Sequence, residues 1–570
     1  MKLSQINIPV PFLCLLAAGL VMFICGCRAR QSAWGLSNAA AARANDAPVM
    51  TLDLREPMEL AAQAIVRRLD PAMEHRPWFL LRGRGGIPVA PEHASWDLGD
   101  MTGRYLEGLI LTRRMGVSRP EFSEAEGRLG RNLLKLLGPD GLIHDPKSGA
   151  VDHTFSQGSA LYGLVAWFAD SGDPAVRVAV ERLISGLLKR AERHGNQLVD
   201  STAKLPESSG SHLAGYQIYP VIRFYELTGY PDALVLAEGL TRWALADPVL
   251  GADGAITKAL SWEGHIHSWL DTLAGCVRTA RHSAAMNRPQ VIACCRAVYD
   301  WVQRSNATSF GWIATYPTGG SSETCAISSA IRLALELAAS GFPAYMDDVE
   351  RFVRNQVVEA QFRDLKAYAG GPEQPTPLLV GCFDSQSMPN CHLGTRGGED
   401  VGTVEGCCLN GGMRALALAW EAIQAFDETG LRVNLALSSS GPAGQVIGYQ
   451  PCAGRLDVIP RAPGAVRIRL PQCVQPKDVA VFVGGIQINC RSQREEAQLS
   501  NPKSEIRNPK FQTFPPPTPA DTWWTLEDGY IVLASVPAQA RVSVRYPLRD
   551  LTEEATAGGQ KFRVRWIGDV

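Results

Sequence analysis

The chain has 570 residues, which is enough for two or three domains built around a large core. Hydrophobic residues make up 46% of the sequence and charged residues 20%, the balance of a soluble globular protein. The formal net charge is −1, so the chain lacks the basic surplus that a nucleic-acid partner requires. Beyond the N-terminus, no stretch reaches the ~20 apolar residues of a membrane span.

The first 27 residues have the pattern of an export signal. Lys2 supplies a positive start, and the apolar run from Pro11 to Ile24 is too short for a stable span. The run ends in Ile24-Cys25-Gly26-Cys27, a sequence similar to a bacterial lipobox, in which the last cysteine is lipidated. The sequence therefore predicts a signal peptide over 1–27, lipidation of Cys27, and a flexible linker over 28–50. It predicts an exported lipoprotein, anchored to a bacterial membrane and facing the periplasm or the cell exterior.

A helix stop-start signal recurs along the next 370 residues. Glycine or asparagine just past a helix end, followed closely by proline at the start of the next helix, marks such a boundary. Successive signals lie 54 to 58 residues apart: Gly116–Pro120, Gly172–Pro174, Gly229–Pro231, Asn287–Pro289 and Gly341–Pro343. Each period holds two amphipathic helical patterns, so the five signals separate six helix pairs. We predict an (α/α)₆ toroid over 51–428, with an open solenoid as the alternative.

The connections inside the helix pairs are long and all lie on the same face of the predicted toroid, opposite the tight turns. Nearly all the histidines and many other side chains suited to chemistry fall in or beside these connections. They include His93, Trp96, Asp97, His153, His212, Trp262, Glu263, His265, Glu323, Cys325, His392, Cys407 and Cys408. We therefore expect a ligand cleft on the long-loop face.

After Gly430 the hydrophobic pattern changes to a period of two residues, which is typical of strands. We predict an antiparallel β-sandwich over 429–548. A polar, proline-rich stretch over 491–520 is predicted to be a disordered insertion, and 549–570 a C-terminal tail. The fold class is thus multidomain, α followed by β.

Two cysteine-bearing segments begin the second helices of the fifth and sixth pairs. The first is Ser321-Ser322-Glu323-Thr324-Cys325-Ala326, and the second is Glu405-Gly406-Cys407-Cys408-Leu409-Asn410. Neighbouring pairs of a toroid bring these helix tips together, so Glu323, Cys325, Cys407 and Cys408 form a donor set suited to Zn²⁺. The helix dipoles and the metal would both lower the thiol pKa. The alternative is that each cysteine is a small buried side chain.

The Glu-x-Cys at Glu323, followed some eighty residues later by Cys407-Cys408, resembles the β-L-arabinofuranosidases of glycoside hydrolase family 127. The resemblance runs from about residue 51 to 548. Supporting motifs are Gly264-His265, Trp96-Asp97, Tyr316-Pro317-Thr318-Gly319-Gly320 and Tyr449-Gln450-Pro451. It implies an (α/α)₆ barrel followed by β-sandwich domains. It also implies a retaining mechanism in which zinc is held by the four residues of the donor set, with Cys407 as the nucleophile that forms a thioglycosyl intermediate.

The sequence departs from the family pattern at two places. The loop that carries the family's acid/base glutamate is absent, because only two serines separate Gly320 from Glu323. Glu263 is the first substitute, followed by Glu405, and then by Asp97 or Glu399. Two helix starts that read Gly-His in the family read Gly158-Ser159 and Gly215-Tyr216 here. The candidate substrate-binding residues are His265, His153, Trp262, Asp97, Tyr216 and Ser159.

Three functions remain open from the sequence. The first is an exported glycoside hydrolase acting on an oligosaccharide or glycan substrate, with zinc as its cofactor. The second is a glycan-binding lipoprotein that has lost catalysis, which the missing acid/base loop favours. The third is another (α/α)₆ glycosidase or lyase that uses a carboxylate and keeps its cysteines for structure.

Overall fold

The computed structural model describes residues 51–84, 87–200, 204–205, 208–257, 262–317, 319–363, 376–390, 403–490 and 523–568. Cys27, Glu399, His392 and the 491–520 insertion lie outside these ranges. None of the helices in the described part of the chain has both the length and the hydropathy that a membrane crossing needs. The helices are α1 Arg55–Arg67, α2 Gly99–Arg114, α3 Pro120–Lys135, α4 Thr154–Ser171, α5 Pro174–Arg190, α6 Ser211–Gly215, α7 Ile218–Thr228, α8 Pro231–Leu245, α9 Ile266–His282, α10 Arg288–Ser305, α11 Thr324–Ala338, α12 Met346–Phe352 and α13 Gly406–Ile423.

The helices form six consecutive pairs, which confirms the predicted toroid. The second helices of the pairs (α2, α4, α6 with α7, α9, α11 and α13) make an inner ring in which each packs against the next. The ring closes because α13 packs against α2, which rules out an open solenoid. The stop-start signals mark the pair boundaries: Gly172 and Gly229 adopt positive φ at the ends of α4 and α7, and proline opens the following helix.

The inner helix of the third pair is interrupted where the sequence pattern predicts one helix from Leu213 to Leu227. It is divided into α6 and α7 around Tyr216 and Gln217. Pro220 has no N–H to donate to the carbonyl of Tyr216, so the regular helical ladder fails at this point. The break occurs at Tyr216, whose buried side chain contacts Arg104 of α2 and Arg414 of α13.

Close packing between α2 and α4 depends on Gly103. A Cβ at this position would lie 2.2 Å from the backbone oxygen of Ser159. This oxygen belongs to the backbone of α4 and cannot move away without shifting the helix. We expect Gly103→Ala to lower the free energy of unfolding by about 2–3 kcal/mol through overpacking. Gly127→Ala in α3 is the matched control, because its nearest neighbour would be the flexible end of Arg131 at 3.4 Å. That change should raise stability by ~0.5–1 kcal/mol. Urea unfolding of both variants measures the difference, and equal effects would contradict the packing argument.

A strand-rich domain follows the toroid, as predicted, although the first nine strands in chain order belong to connections of the toroid itself. The strands are β1 Leu69–Asp70, β2 Arg76–Pro77, β3 Leu80–Arg84, β4 Ile87–Glu92, β5 Glu192–His194, β6 Gln197–Val199, β7 Lys204–Leu205, β8 Ser208–Ser209, β9 Thr403–Glu405, β10 Gln424–Asp427, β11 Gly430–Val433, β12 Ser439–Ser440, β13 Gly444–Gly448, β14 Arg455–Pro460, β15 Gly464–Arg469, β16 Ala480–Val483, β17 Ile486–Cys490, β18 Trp523–Glu527, β19 Tyr530–Val536, β20 Val542–Arg545, β21 Asp550–Ala557 and β22 Gln560–Ile567.

Eleven of these strands form one continuous sheet in the order β10-β11-β15-β19-β18-β17-β16-β20-β14-β13-β12. The sheet is not wholly antiparallel, because β11 pairs with β15, and β17 with β18, in parallel. Parallel neighbours need a long crossover connection. Residues 491–522 separate β17 from β18 in the sequence, a span long enough for such a connection.

The C-terminal segment, which the sequence leaves as a tail, contains the antiparallel hairpin of β21 and β22. Ala557 and Phe562 of this hairpin pack against Trp312, in the long connection of the fifth helix pair. The hairpin therefore covers part of the long-loop face of the toroid.

Candidate active site

A cleft of about 280 Å³ opens on the long-loop face, where the inner helices begin. Its walls come from the connections of several helix pairs. They are formed by Phe79, Leu80, Arg82, Ala94, Ser95, Trp96, Asp100, Arg104, Phe155, His265, His267, Glu323, Glu405 and Cys407. A larger cavity of about 600 Å³, beside Trp420 and Phe426, has no cysteine or histidine among the described residues that line it. The chemistry thus concentrates in the smaller cleft.

Three cysteines meet at the base of this cleft. Cys325 lies in the first turn of α11, and Cys407 and Cys408 lie in the first turn of α13. The two helix tips approach closely because Gly411 faces Cys325, where a Cβ would lie 3.1 Å from the Cys325 Cα and Sγ atoms. The sulfurs of Cys325, Cys407 and Cys408 all lie within 4.8 Å of one another. The structure thus brings the two segments together as the sequence predicts.

The spacing of the sulfurs suits a tetrahedral metal ion. Cys325 Sγ and Cys408 Sγ are 3.6 Å apart. Two thiolates on one Zn²⁺ with Zn–S bonds of about 2.3 Å would be separated by about 3.8 Å. Burial raises the pKa of the Cys408 thiol, but hydrogen bonds from Cys325 and Cys407 outweigh it, and the net pKa lies well below the usual value. The same cluster raises the pKa of the Cys407 thiol well above its usual value, through its contacts with Cys325 and Cys408 and through burial, and the pKa of Cys325 is raised as well. Binding of a cation would therefore be needed to hold all three sulfurs as thiolates.

Glu323, the fourth predicted ligand, is the N-cap residue of α11 and lies two residues before Cys325 in the chain. It is not part of the group of three cysteines whose sulfurs lie within 4.8 Å of one another. Its side chain is buried, and its Oε2 atom lies 3.1 Å from Nε2 of His265. His265 Nδ1 contacts the Ser268 hydroxyl at 2.7 Å. A carboxylate held by histidine in the same cleft as Cys407 can supply a fourth ligand for a metal.

Glu405 is the cleft carboxylate that contacts Cys407 directly. The Cys407 thiol donates to Glu405 Oε2 over 3.4 Å. Strand β9 holds this segment in place, because Leu80 of β3 pairs with Glu405, and the Gly406 N–H donates to the Phe79 carbonyl at 2.7 Å. Loops of the first and sixth pairs are thereby joined into one wall.

Asp97 is fully buried behind the cleft wall. Its carboxylate accepts hydrogen bonds from the backbone N–H groups of Phe79 and Ala94 at 2.8 and 2.9 Å, and lies 2.7 Å from His93 Nδ1. Burial raises its pKa. Asp97 thus organises the loop that presents Phe79 and Trp96, and it does not line the cleft itself.

His153 caps α4, where its Nδ1 accepts from the Ser156 N–H at 3.2 Å. Its ring lies 4.3 Å from that of Trp96, so it supports the cleft wall from behind. Glu263 lies in the short turn Trp262–Gly264 before α9, and its carbonyl accepts from the Trp269 indole at 2.7 Å. Glu263 is not among the residues that line the cleft. The side chain of Trp262 lies outside the described residues.

Ser159 and Tyr216 are buried, and both help to position the side chain of Arg104. The Ser159 hydroxyl donates to Asp100, which in turn accepts from Arg104 Nε at 2.7 Å. The Arg104 guanidinium lies over the Tyr216 ring, 5.1 Å from its centroid. Tyr216 is anchored by its hydroxyl, which accepts from Arg414 Nη1 at 3.2 Å.

Sequence reasoning missed Asp100, Arg104 and His267. Asp100 and Arg104 are four residues apart near the start of α2, on a buried face that also carries Glu107. His267 follows His265 by two residues and contacts the Ser329 hydroxyl at 2.8 Å through Nδ1. Charged residues on the buried face of a predicted inner helix were the signal that could have identified the pair.

Comparison with solved structures identifies the architecture. A family 127 β-L-arabinofuranosidase from Geobacillus stearothermophilus T6 aligns with a TM-score of 0.55 at 13% identity, covering 90% of this chain and 79% of that one. A second family 127 β-arabinofuranosidase gives a TM-score of 0.57 at 13% identity, covering 91% and 83%. The chain has the fold of glycoside hydrolase family 127. A structure described as a glycoside hydrolase aligns with a TM-score of 0.56 at 14% identity, over 82% and 76% of the two chains.

No family profile matches the chain, and no curated protein sequence does. The family 127 fold is therefore present in a sequence that has diverged far from its structural neighbours. The resemblance based on Glu-x-Cys and Cys-Cys is confirmed at the level of the fold.

Proposed function

We propose that this protein is a retaining glycoside hydrolase, similar to the β-L-arabinofuranosidases, with Cys407 as a zinc-activated nucleophile. The observation that carries the proposal is the convergence of the three sulfurs within 4.8 Å at the base of the cleft. A catalytically inactive glycan-binding protein would not need to keep a polarised thiol in contact with the ligand space. The family 127 fold supports the glycosidase assignment.

The donor set fits zinc, because thiolate and carboxylate ligands suit this ion. Cys325, Cys407, Cys408 and Glu323 would hold it, and zinc would supply a lowered thiol pKa at Cys407. Of the two candidate glutamates, Glu405 is favoured as the acid/base because it lines the cleft beside Cys407. Glu263, the first choice from sequence, has no place in the described wall of the cleft.

The reaction proceeds in two displacements at the anomeric carbon. Cys407 Sγ attacks this carbon, the C–S bond forms, and the glycosidic C–O bond breaks while Glu405 gives its proton to the leaving oxygen. Glu405 then takes a proton from water, which attacks the same carbon and breaks the C–S bond. Two inversions return the original anomeric configuration. His265 orients Glu323 through the 3.1 Å contact.

Metal analysis joined to an activity assay tests the proposal. We expect one zinc per chain and hydrolysis of 4-nitrophenyl β-L-arabinofuranoside, with retained configuration in the first product seen by NMR. A chelator should remove activity, because the three sulfurs lose their shared cation. Added zinc should restore it. Full activity in protein shown to be free of metal would refute the mechanism. Zinc without turnover on any aryl glycoside would favour the glycan-binding alternative.

We also propose that the protein is exported and lipid-anchored through Cys27. The signal-like segment 1–27 supports this proposal. When the full chain is expressed in a bacterium, it should fractionate with membranes, whereas Cys27→Ser should move it to the soluble exported fraction. Cys294→Ser, on the outer helix α10, is the matched control and should leave the fractionation unchanged. Equal distribution of all three proteins would argue against lipidation.

A further inference from the structure

Arg104 lines the cleft and carries a buried hydrogen-bond donor that no described residue uses. Its side chain is 2% exposed and lines the cleft together with Cys407. The Nη1 atom is buried and has no hydrogen-bond partner among the described residues. A buried guanidinium nitrogen without an acceptor costs free energy, so such a group indicates a ligand that supplies the acceptor.

Three buried residues hold this guanidinium in position. Asp100 accepts from Arg104 Nε at 2.7 Å, Ser159 donates to Asp100, and the Tyr216 ring lies beneath the guanidinium plane. Ser159 and Tyr216 occupy the two positions where the family pattern has histidine. The residues that replace those histidines therefore support an arginine, which changes the chemistry that the cleft offers to a sugar.

His267 adds a second unused polar atom to the same cleft wall. Its Nδ1 contacts Ser329, while its Nε2 is buried and has no hydrogen-bond partner among the described residues. Burial and the nearby charges, those of His265 and of Arg104 among them, lower its pKa well below the usual value. The cleft thus places a fixed positive charge and a histidine nitrogen around one ligand space.

We propose that the cleft selects a glycoside whose sugar carries a carboxylate, with Arg104 as the residue that recognises the carboxylate and His267 beside it. The planar guanidinium is the side chain best matched to carboxylate oxygens, and the low-exposure setting strengthens the interaction. Asp100 already pairs with this guanidinium through Nε, and Glu323 and Glu405 also line the cleft. A neutral hydroxyl group would satisfy the remaining donor with an ordinary hydrogen bond, whereas a carboxylate would form a charge-assisted one. This inference rests on the proposed function only in naming the bound group as the sugar of a glycoside.

The test compares free sugars that cannot be hydrolysed, using the full chain as purified. Isothermal titration calorimetry measures binding of glucuronate and galacturonate against glucose and galactose, their neutral counterparts. We expect at least one uronate to bind about tenfold or more tightly than its neutral counterpart, equivalent to ~1.4 kcal/mol. Arg104→Gln should abolish this preference, and Arg104→Lys should reduce it at least threefold, because an ammonium does not reproduce the guanidinium geometry.

Arg223→Gln is the control, since this arginine is partly exposed and pairs with Glu226 away from the cleft. It should keep the uronate preference of the unmodified protein. Thermal unfolding and zinc content establish whether each variant retains its fold. If Arg104→Gln does not fold, Arg104→Lys provides the comparison. Equal affinity for uronates and neutral sugars, absence of uronate binding, or a preference that survives both Arg104 changes would overturn the inference.

The outcomes separate this inference from the proposed function. Uronate binding that depends on Arg104, without hydrolysis of any glycoside, would contradict the glycosidase and leave the carboxylate site standing. Hydrolysis of neutral arabinofuranosides with no preference for uronates would support the glycosidase and contradict the carboxylate site.

Discussion

Cys407→Ser is expected to lower kcat by about 10³-fold or more while the protein keeps its metal. The serine hydroxyl is a much weaker nucleophile than a thiolate at neutral pH, and it cannot form the thioglycosyl intermediate. Cys325, Cys408 and Glu323 still offer three ligands, so zinc content should fall less than activity does. Steady-state kinetics on aryl glycosides and metal analysis of the same preparation measure the two quantities.

Cys294→Ser is the matched control for Cys407→Ser. Cys294 lies half-buried on α10, one of the outer helices, and its pKa is raised by burial, as befits a packing residue. Its replacement should leave kcat within about twofold, the size of effect seen at sites remote from the chemistry. Unchanged turnover in Cys407→Ser would instead support an (α/α)₆ enzyme that works through carboxylates and uses its cysteines for structure.

Glu405→Gln is expected to lower kcat by about 10²–10⁴-fold on substrates with poor leaving groups, because glutamine cannot donate a proton to the glycosidic oxygen. The loss should be far smaller on activated aryl glycosides, whose leaving groups need little protonation. Added azide should restore turnover and give a glycosyl azide of retained configuration, since this anion attacks without a general base. Comparison of the two substrate classes, with and without azide, measures the effect.

Glu263→Gln distinguishes the two candidate acid/base residues. The position of Glu405 in the cleft wall, 3.4 Å from Cys407 Sγ, predicts that its variant loses more activity than the Glu263 variant. The reverse order, with azide rescue of Glu263→Gln alone, would assign the acid/base to the turn before α9. If both variants hydrolyse substrate at the rate of the unmodified protein, neither Glu405 nor Glu263 takes part in proton transfer.

The helix pairs and the cysteine cluster could be predicted because both depend on local signals. Glycine allows the positive φ angle that ends a helix, and proline cannot continue one, so both residue types mark boundaries in the sequence itself. Gly172 and Gly229 are two such positions. The cysteine cluster required one further step, that neighbouring pairs of a ring share a face. That step held because Cys325 and Cys407 both begin inner helices, and the start of a helix is a local property.

The roles of individual polar side chains could not be predicted from local sequence signals. Asp97 and Glu263 were placed in the right loops, but the direction of each side chain depends on partners distant in sequence. Asp97 turns inward because two backbone N–H groups, one of them Phe79's, are buried and need an acceptor. Glu405 enters the cleft because β9 pairs with β3, which is more than 300 residues earlier in the chain.

The sequence by itself determined the toroid, the strand-rich domain after it, and the meeting of three cysteines at two helix tips. Periodicity and helix-boundary residues act over a few positions, so they survive in a chain that is only 13% and 14% identical to the solved structures it resembles. Only the tertiary structure decided which carboxylate of the cleft contacts Cys407, and that Ser159 and Tyr216 support Arg104. Those outcomes follow from the pairing of distant strands and from the need of buried charged and polar groups for partners, neither of which a local pattern records.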